Sequence, residues 1–379
     1  MTIQAPQFVK LVYRFDEGNA SMADLLGGKG SNLCEMARLG LPVPPGFVIS
    51  TQVCRDYLSK KQTLPEGLEE SIKENIRELE ISIGRNFGSP SSPLLVSVRS
   101  GARISMPGMM DTILNLGIND EIVEGVASMM GDPRPAYDAY RRFLQIYSQV
   151  VMGVAADEFE KVLAEHKHKA GVTQDHQLTA EQLKSVVADF KKVAKDATGS
   201  EPPSDPWEQL MAAVEAVFRS WNTPRATFYR DHNKIGHDMG TAVTIMAMVF
   251  VNLGPTSGTG VLFTRNPSTG ENALYGEFLV NAQGEDVVAG VRTPQSIFSL
   301  QEVMPSAYEE IVQAKSQLER HYRDVQDIEF TIERKRMYIL QTRAAKRTPV
   351  AAVKIAVDMV KEELISPEEA LLRVPADEG

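Results

Sequence analysis

The sequence predicts a mixed helix-and-sheet protein with a long helical segment between its strands, on three observations. Residues 327–343, DIEFTIERKRMYILQTR, read as a β-hairpin. Ile328, Phe330 and Ile332 alternate with Asp327, Glu329, Thr331 and Glu333, giving one apolar and one polar face. Residues 94–98 and 241–252 (TAVTIMAMVFVN) are apolar runs of buried-strand type. Between them, residues 120–199 change character, with Tyr137, Tyr140, Phe143, Leu144, Tyr147 and Val151 at helical spacing.

The 379 residues leave room for two or three domains of about 150 residues. A net charge of −10 argues against nucleic acid or an anionic membrane as a partner, so any polyphosphate site must be a local basic pocket. Two cysteines, Cys34 and Cys54, do not make a disulfide framework and read as free thiols of a reducing cytoplasm. Lys10, Arg14 and Asp16 interrupt the N-terminal apolar residues, so no secretory signal is expected. The run 241–253 is shorter than the roughly 20 residues that span a bilayer.

In chain order, residues 11–15 read as a strand, followed by Leu25-Leu26-Gly27-Gly28-Lys29-Gly30 and a helix carrying Leu33, Met36, Ala37 and Leu39, closed by Gly40. Such a turn can offer backbone N–H groups and a Lys to phosphate, or be only a turn. It is not a Walker A loop, because Ala23 stands where that pattern needs Gly. A strand at 47–50 and a charged helix at 66–83 follow. The strand at 94–98 runs into Arg99 and the loop SGARISMPGMMDT. Its methionines suit a surface that repacks around a ligand, and Arg99 suits a phosphate. The alternatives are core methionines and a structural ion pair.

Residues 120–199 read as a helical insertion. His166 and His168, two apart, do not share a helix face and argue against a metal there. Thr179 with Gln182 forms a capping box, residues 199–206 form a linker, and Asp205-Pro206 starts another helix. After the strand 241–252 come a loop at 254–260, a strand at 261–264, and an acidic Gly-rich stretch with Glu277, Glu285 and Asp286. Ser306 with Glu309 is expected to cap a helix to about residue 324, and residues 349–364 read as helical. Ser366 to Glu369 is a final capping box. In the hairpin, a three-residue loop at 334–336 places Glu329 opposite Gln341 and Asp327 opposite Arg343, on one face. Those oxygens suit a hard cation; a solvated face with one ion pair is the alternative.

Taken together, LLGGKGSNLCEMARLGLPVPPGFVIST, VRSGARISMPGMMDTILNLG, GTAVTIMAMVFVN, GEFLVNAQGEDVVAGVRTP and DIEFTIERKRMYILQTR resemble the nucleotide-binding part of the pyruvate phosphate dikinase family. Phosphoenolpyruvate synthases share the GGKG turn, the strand-end Arg and the hairpin but differ in the central loop. The resemblance implies an α+β, ATP-grasp fold, with two subdomains clamping ATP and a helical insertion. The expected boundaries are 1–119 with 200–240 for the first subdomain, 120–199 for the insertion, 241–347 for the second subdomain and 348–379 for a helical linker.

It also implies the roles. Lys29 and Arg99 resemble triphosphate-binding cations, with Arg343 beside them in the catalytic set. The loop 101–112, with Gly101, Met106, Gly108 and Thr112, resembles a lid. Met246, Met248 and Val249 resemble the strand lining adenine, and Glu277 and Glu285 resemble acids near the ribose. Asp327, Glu329 and Gln341 resemble magnesium ligands. The implied reaction passes the β-phosphoryl of ATP, as pyrophosphate, to a histidine on a swivelling domain. Phosphate then takes the γ-phosphoryl, and a C-terminal barrel phosphorylates pyruvate. None of the six histidines lies in the GGMTSHAA-type segment of the acceptor. The chain therefore reads as a nucleotide-binding fragment of a cytoplasmic homodimer whose C-terminal part mediates dimerisation, and it is expected to bind Mg-ATP without completing the reaction. A synthase-like phosphotransferase part or a module acting in trans are the alternatives.

Overall fold

Five short apolar segments pair into the first sheet of the computed structural model, which describes residues 10–106, 108–110, 112–282 and 293–374. Its elements are β1 (Val12–Arg14), α1 (Ala23–Arg38), β2 (Gly46–Ile49), α2 (Thr51–Ser59), α3 (Leu68–Ile83), β3 (Asn86–Phe87), β4 (Pro93–Leu94), β5 (Val96–Gly101) and β6 (Thr112–Leu116). The helices α4 (Ile122–Met130), α5 (Pro133–Val150), α6 (Ala156–Ala170), α7 (Ala180–Thr198), α8 (Pro206–Ser220) and α9 (Pro224–His232) precede β7 (Ala242–Ala247). The sheet order is β1-β2-β7-β5-β6, antiparallel throughout. Val48, Val98, Val243 and Ile245 are fully buried in it, and α1 and α8 pack on it through Leu33, Met36, Leu210, Val214 and Val217. Both cysteines are buried and free, and burial pushes each thiol up to about 12.

The strand expected in a second subdomain is thus the central strand of the first sheet: Val243 and Ile245 pair with Ile49 and Phe47 on one side, and with Ser100 and Val98 on the other. It also ends at Ala247 rather than Asn252, because an apolar run does not by itself mark where hydrogen bonding stops. The helical segment is not a separate body. Its α5 packs on β6, Asn115 donates to the Ala139 carbonyl, and contacts group it with the first unit, Met1–Leu39 with Pro45–Met248.

The second unit, Gly40–Pro44 with Val249–Gly379, contains β8 (Gly258–Phe263), β9 (Tyr275–Val280), β10 (Gln295–Ser296), α10 (Leu300–Val303), α11 (Pro305–Tyr322), β11 (Gln326–Glu333), β12 (Arg336–Ala344), α12 (Pro349–Lys361) and α13 (Pro367–Arg373). Its antiparallel sheet runs β10-β9-β8-β11-β12. Leu262, Phe278, Ile328, Phe330 and Ile332 are buried on one face, where α11 packs on β11 and β12. Ser306 is not the cap of α11: Pro305 takes the first helical position and Met304 the cap, because proline's fixed φ and missing N–H suit that position. The last two helices, in the segment expected as a helical linker, are docked on this unit. Ala351, Ile355, Met359 and Ile365 share a core with Val325 and Ala345, and Arg323 Nε donates to the Leu364 carbonyl. Among the described residues no helix is long and apolar enough to cross a membrane.

Candidate functional site

In the first unit, the Gly-rich turn is pressed against the end of β5. Gly27 breaks α1 at φ +68°, and a Cβ there would lie 1.9 Å from the Gly101 carbonyl oxygen. The Gly28 N–H donates to the Ala102 carbonyl at 2.9 Å, so it is committed to protein rather than open to phosphate. Lys29 rides on this junction, half-buried, with its Cβ 3.7 Å from where a Cβ of Gly101 would stand. Arg99 is half-buried, opposite Thr112 and Thr244, and shares a strand face with Gly101 two residues on. Lys29 therefore lies beside the Gly101 end of the strand that carries Arg99. Gly27→Ala combines a left-handed φ with a backbone collision and is expected to cost at least about 1–3 kcal/mol, read as a lower midpoint in urea unfolding.

The residues of the loop expected as a lid divide. Met106 is buried, Met109 and Met110 are half-buried, and Gly108 is exposed with φ +69°. The methionines expected as an exposed adaptable surface are thus partly core, because an apolar thioether gains by burial. Pro107 and Asp111 lie outside the described residues, as do Glu285 and Asp286. Met246 is buried in the first sheet. Met248 donates from its N–H to the Leu95 carbonyl at 2.9 Å, beyond the end of β7, and Val249 opens the second unit.

In the second unit, the hairpin loop is one residue shorter than expected. Arg334 and Lys335 take φ of 49° and 71°, and Glu333 pairs with Arg336. Two left-handed residues match the twist of a two-residue hairpin. The Arg334 N–H donates to Ser257 Oγ and the Lys335 N–H to the Thr256 carbonyl. The register then shifts between Glu329 and Phe330, leaving Leu340 as the extra residue of a β-bulge. Bulge and short loop cancel, so Glu329 pairs with Gln341 and Asp327 with Arg343.

Paired residues of antiparallel strands share a face. One row therefore runs Ser296, Glu277, Val261, Glu329, Gln341 across all five strands. Glu277 and Glu329 flank Val261, two strand spacings or roughly 10 Å apart. Val261 is 37% exposed although β8 is the central strand, and Glu277 is exposed, so the sheet is open there. The next row runs Tyr275, Phe263, Asp327, Arg343. In it, Arg343 Nε donates to Asp327 Oδ2 at 2.7 Å, and the rings of Tyr275 and Phe263 are 6.4 Å apart. Among the described residues no group of three or more His, Cys, Asp or Glu makes a metal cage. The paired carboxylate and amide of Glu329 and Gln341 fit a hard cation that keeps water and phosphate ligands, as magnesium does.

Sequence reasoning passed over three features. Arg103, in the loop after β5, pairs with Asp24 at 2.7 Å; both are visible in the sequence but their proximity is not. Tyr275 and Phe263 flank the oxygen row. Arg265, fully buried, binds Glu319 and Glu362.

Two antiparallel sheets with packed helices define an α+β protein. Its sequence matches the family described as pyruvate phosphate dikinase, AMP/ATP-binding domain, over residues 23–66, 60–306 and 301–364. It is 56% identical to the pyruvate, phosphate dikinase of Clostridium symbiosum over 97% of this chain and 42% of the relative. It is 56% identical to the chloroplastic pyruvate, phosphate dikinase 1 of Arabidopsis thaliana over 94% and 37%, and 54% identical to the Rhizobium meliloti enzyme over 96% and 42%. The chain belongs to the pyruvate phosphate dikinase AMP/ATP-binding domain family, and it spans about two fifths of the length of these relatives.

Proposed function

We propose that this chain binds Mg-ATP through an ATP-grasp fold and presents it for pyrophosphoryl transfer to a histidine carried elsewhere in a longer dikinase. The observation that carries this reading is the open row of Glu277, Glu329 and Gln341, in a chain of this family. Phosphoryl transfer needs positioning and charge neutralisation more than a nucleophile of the domain's own. Lys29 and Arg99 neutralise the triphosphate, with Gly101, Met106, Gly108 and Thr112 over it. Met246, Met248 and Val249 flank the adenine, and Glu277 the ribose. Glu329 and Gln341, with Asp327 beside them, hold Mg²⁺, which when bound neutralises phosphate charge. Asp327 keeps Arg343 extended along the same face to meet the phosphates. The rest of the full-length protein supplies the acceptor histidine and the pyruvate site, so ATP, phosphate and pyruvate yield AMP, diphosphate and phosphoenolpyruvate in the cytoplasm, in a homodimer.

Calorimetric titration with ATP, with and without Mg²⁺, tests this reading. Lys29→Ala and Arg99→Ala are each expected to weaken binding by about 10- to 100-fold, the effect of losing a charge-assisted hydrogen bond. Affinity indifferent to Mg²⁺ and to both substitutions would sink it.

A further inference from the structure

The loop 101–112 carries one arginine, Arg103, for which the roles above give no task. Arg103 is 53% exposed along its side chain, and its Nη1 lies 2.7 Å from Asp24 Oδ1, itself 75% exposed. Asp24 sits in the first turn of α1, three residues before the Gly27 kink. Backbone contacts fix the base of Arg103: the Ala102 carbonyl accepts from the Gly28 N–H, and a Cβ on Gly28 would lie 3.1 Å from the Arg103 carbonyl oxygen. Arg103 thus springs from just beyond the end of β5, beside the turn that carries Lys29. Its backbone is held by the turn, while among the described residues its side chain pairs with one exposed carboxylate.

That arrangement is easily exchanged. An ion pair this open to water contributes little net stability, whereas a guanidinium meets a phosphate through two parallel, charge-assisted hydrogen bonds. We propose that Arg103 is a further phosphate-binding residue, stored on Asp24 and transferred to the nucleotide's phosphates on binding. This rests on the Mg-ATP reading and adds to it a residue and a competing carboxylate.

The two partners then have opposite effects. Arg103→Ala removes a phosphate ligand and weakens Mg-ATP binding by about tenfold or more. Asp24→Asn removes the competitor and tightens it by roughly two- to fivefold, the range of an exposed pair. Asp24→Asn has no effect on an Arg103→Ala background, and Arg103→Lys restores part of the affinity as a point charge without the fork. The readout is the Mg-ATP dissociation constant of each variant by calorimetry, with the melting temperature confirming the fold. If the pair is only a structural latch, Asp24→Asn and Arg103→Ala shift affinity in the same direction, or neither shifts it, and the proposal is overturned. If the unsubstituted chain binds no Mg-ATP, the underlying reading fails instead. Binding that Lys29→Ala weakens but Arg103→Ala leaves alone removes Arg103 while sparing that reading.

Discussion

On the proposed reading, Glu329→Gln is expected to abolish the Mg²⁺-dependent part of ATP binding and to leave the fold intact. Glu329 is half-buried on an open sheet face, between Gln341 on one side and Val261 on the other. Glutamine matches it in shape and can keep the packing along the row, so stability should move by no more than about 0.5 kcal/mol. What disappears is the negative charge. An amide on each side of the rung leaves two neutral oxygens, and a divalent cation loses the carboxylate that repays its partial dehydration. Affinity for ATP in magnesium buffer should fall on the order of 100-fold, the upper end for interactions involving a charged group. Affinity in chelator should stay at the unsubstituted value, because the proposed reading gives the contact with metal-free ATP to Lys29 and Arg99. Titration in both buffers separates the two contributions. Equal losses with and without Mg²⁺ would mean that Glu329 supports the sheet and not a cation.

The legible parts of this structure are those whose cause is local. The capping boxes at Thr179 with Gln182 and at Ser366 with Glu369 form as their spacing requires, because partner and target are three residues apart. The faces of the hairpin followed from alternation alone. Its turn did not, since nothing in Arg334-Lys335-Arg336 marks two left-handed residues in the way Asn-Gly would. The bulge at Leu340 is equally silent, because Tyr338 to Leu340 keeps an ordinary strand composition. The expected pairing of Glu329 with Gln341 was therefore reached through two compensating departures, one in the loop and one in the ladder. The run 241–252 failed for a different reason. Phe250 and Val251 are as buried as strand residues, but the Phe250 N–H is satisfied by the carboxylate of Glu333, a partner 83 residues away. Where tertiary contacts rather than a neighbouring strand satisfy the backbone, apolar composition cannot locate the end of a strand.

Arg265→Ala is expected to destabilise the second unit by about 3–5 kcal/mol, the cost of breaking a buried ion cluster by removing one partner. Arg265 follows the end of β8 and is fully buried. Its Nε and Nη2 donate to the two carboxylate oxygens of Glu319 on α11 at 3.1 and 2.9 Å. Its Nη1 and Nη2 reach those of Glu362, just after α12, at 3.1 and 2.6 Å. One guanidinium therefore ties the sheet to two helices 54 and 97 residues away in sequence. Alanine would leave the Glu319 side chain, 6% exposed, without its cation, while Glu362, 36% exposed, could turn to water. The asymmetry predicts that Glu362→Gln costs less than Arg265→Ala. It also predicts that Arg265→Met with Glu319→Leu, which removes both buried charges, recovers most of the loss. Acid should act on the same cluster. The hydrogen bond from Arg265 holds the Glu362 carboxyl below its ordinary range. Its contribution is thus present above the unfolded-state value and is lost as pH falls through the lower folded value. Urea unfolding across that acid range should show a steeper decline for the native sequence than for Arg265→Ala. Hydrogen exchange should also show early loss of protection in Pro349–Lys361, the helix that Glu362 follows. Equal acid sensitivity in both proteins would place the pH dependence in other carboxylates.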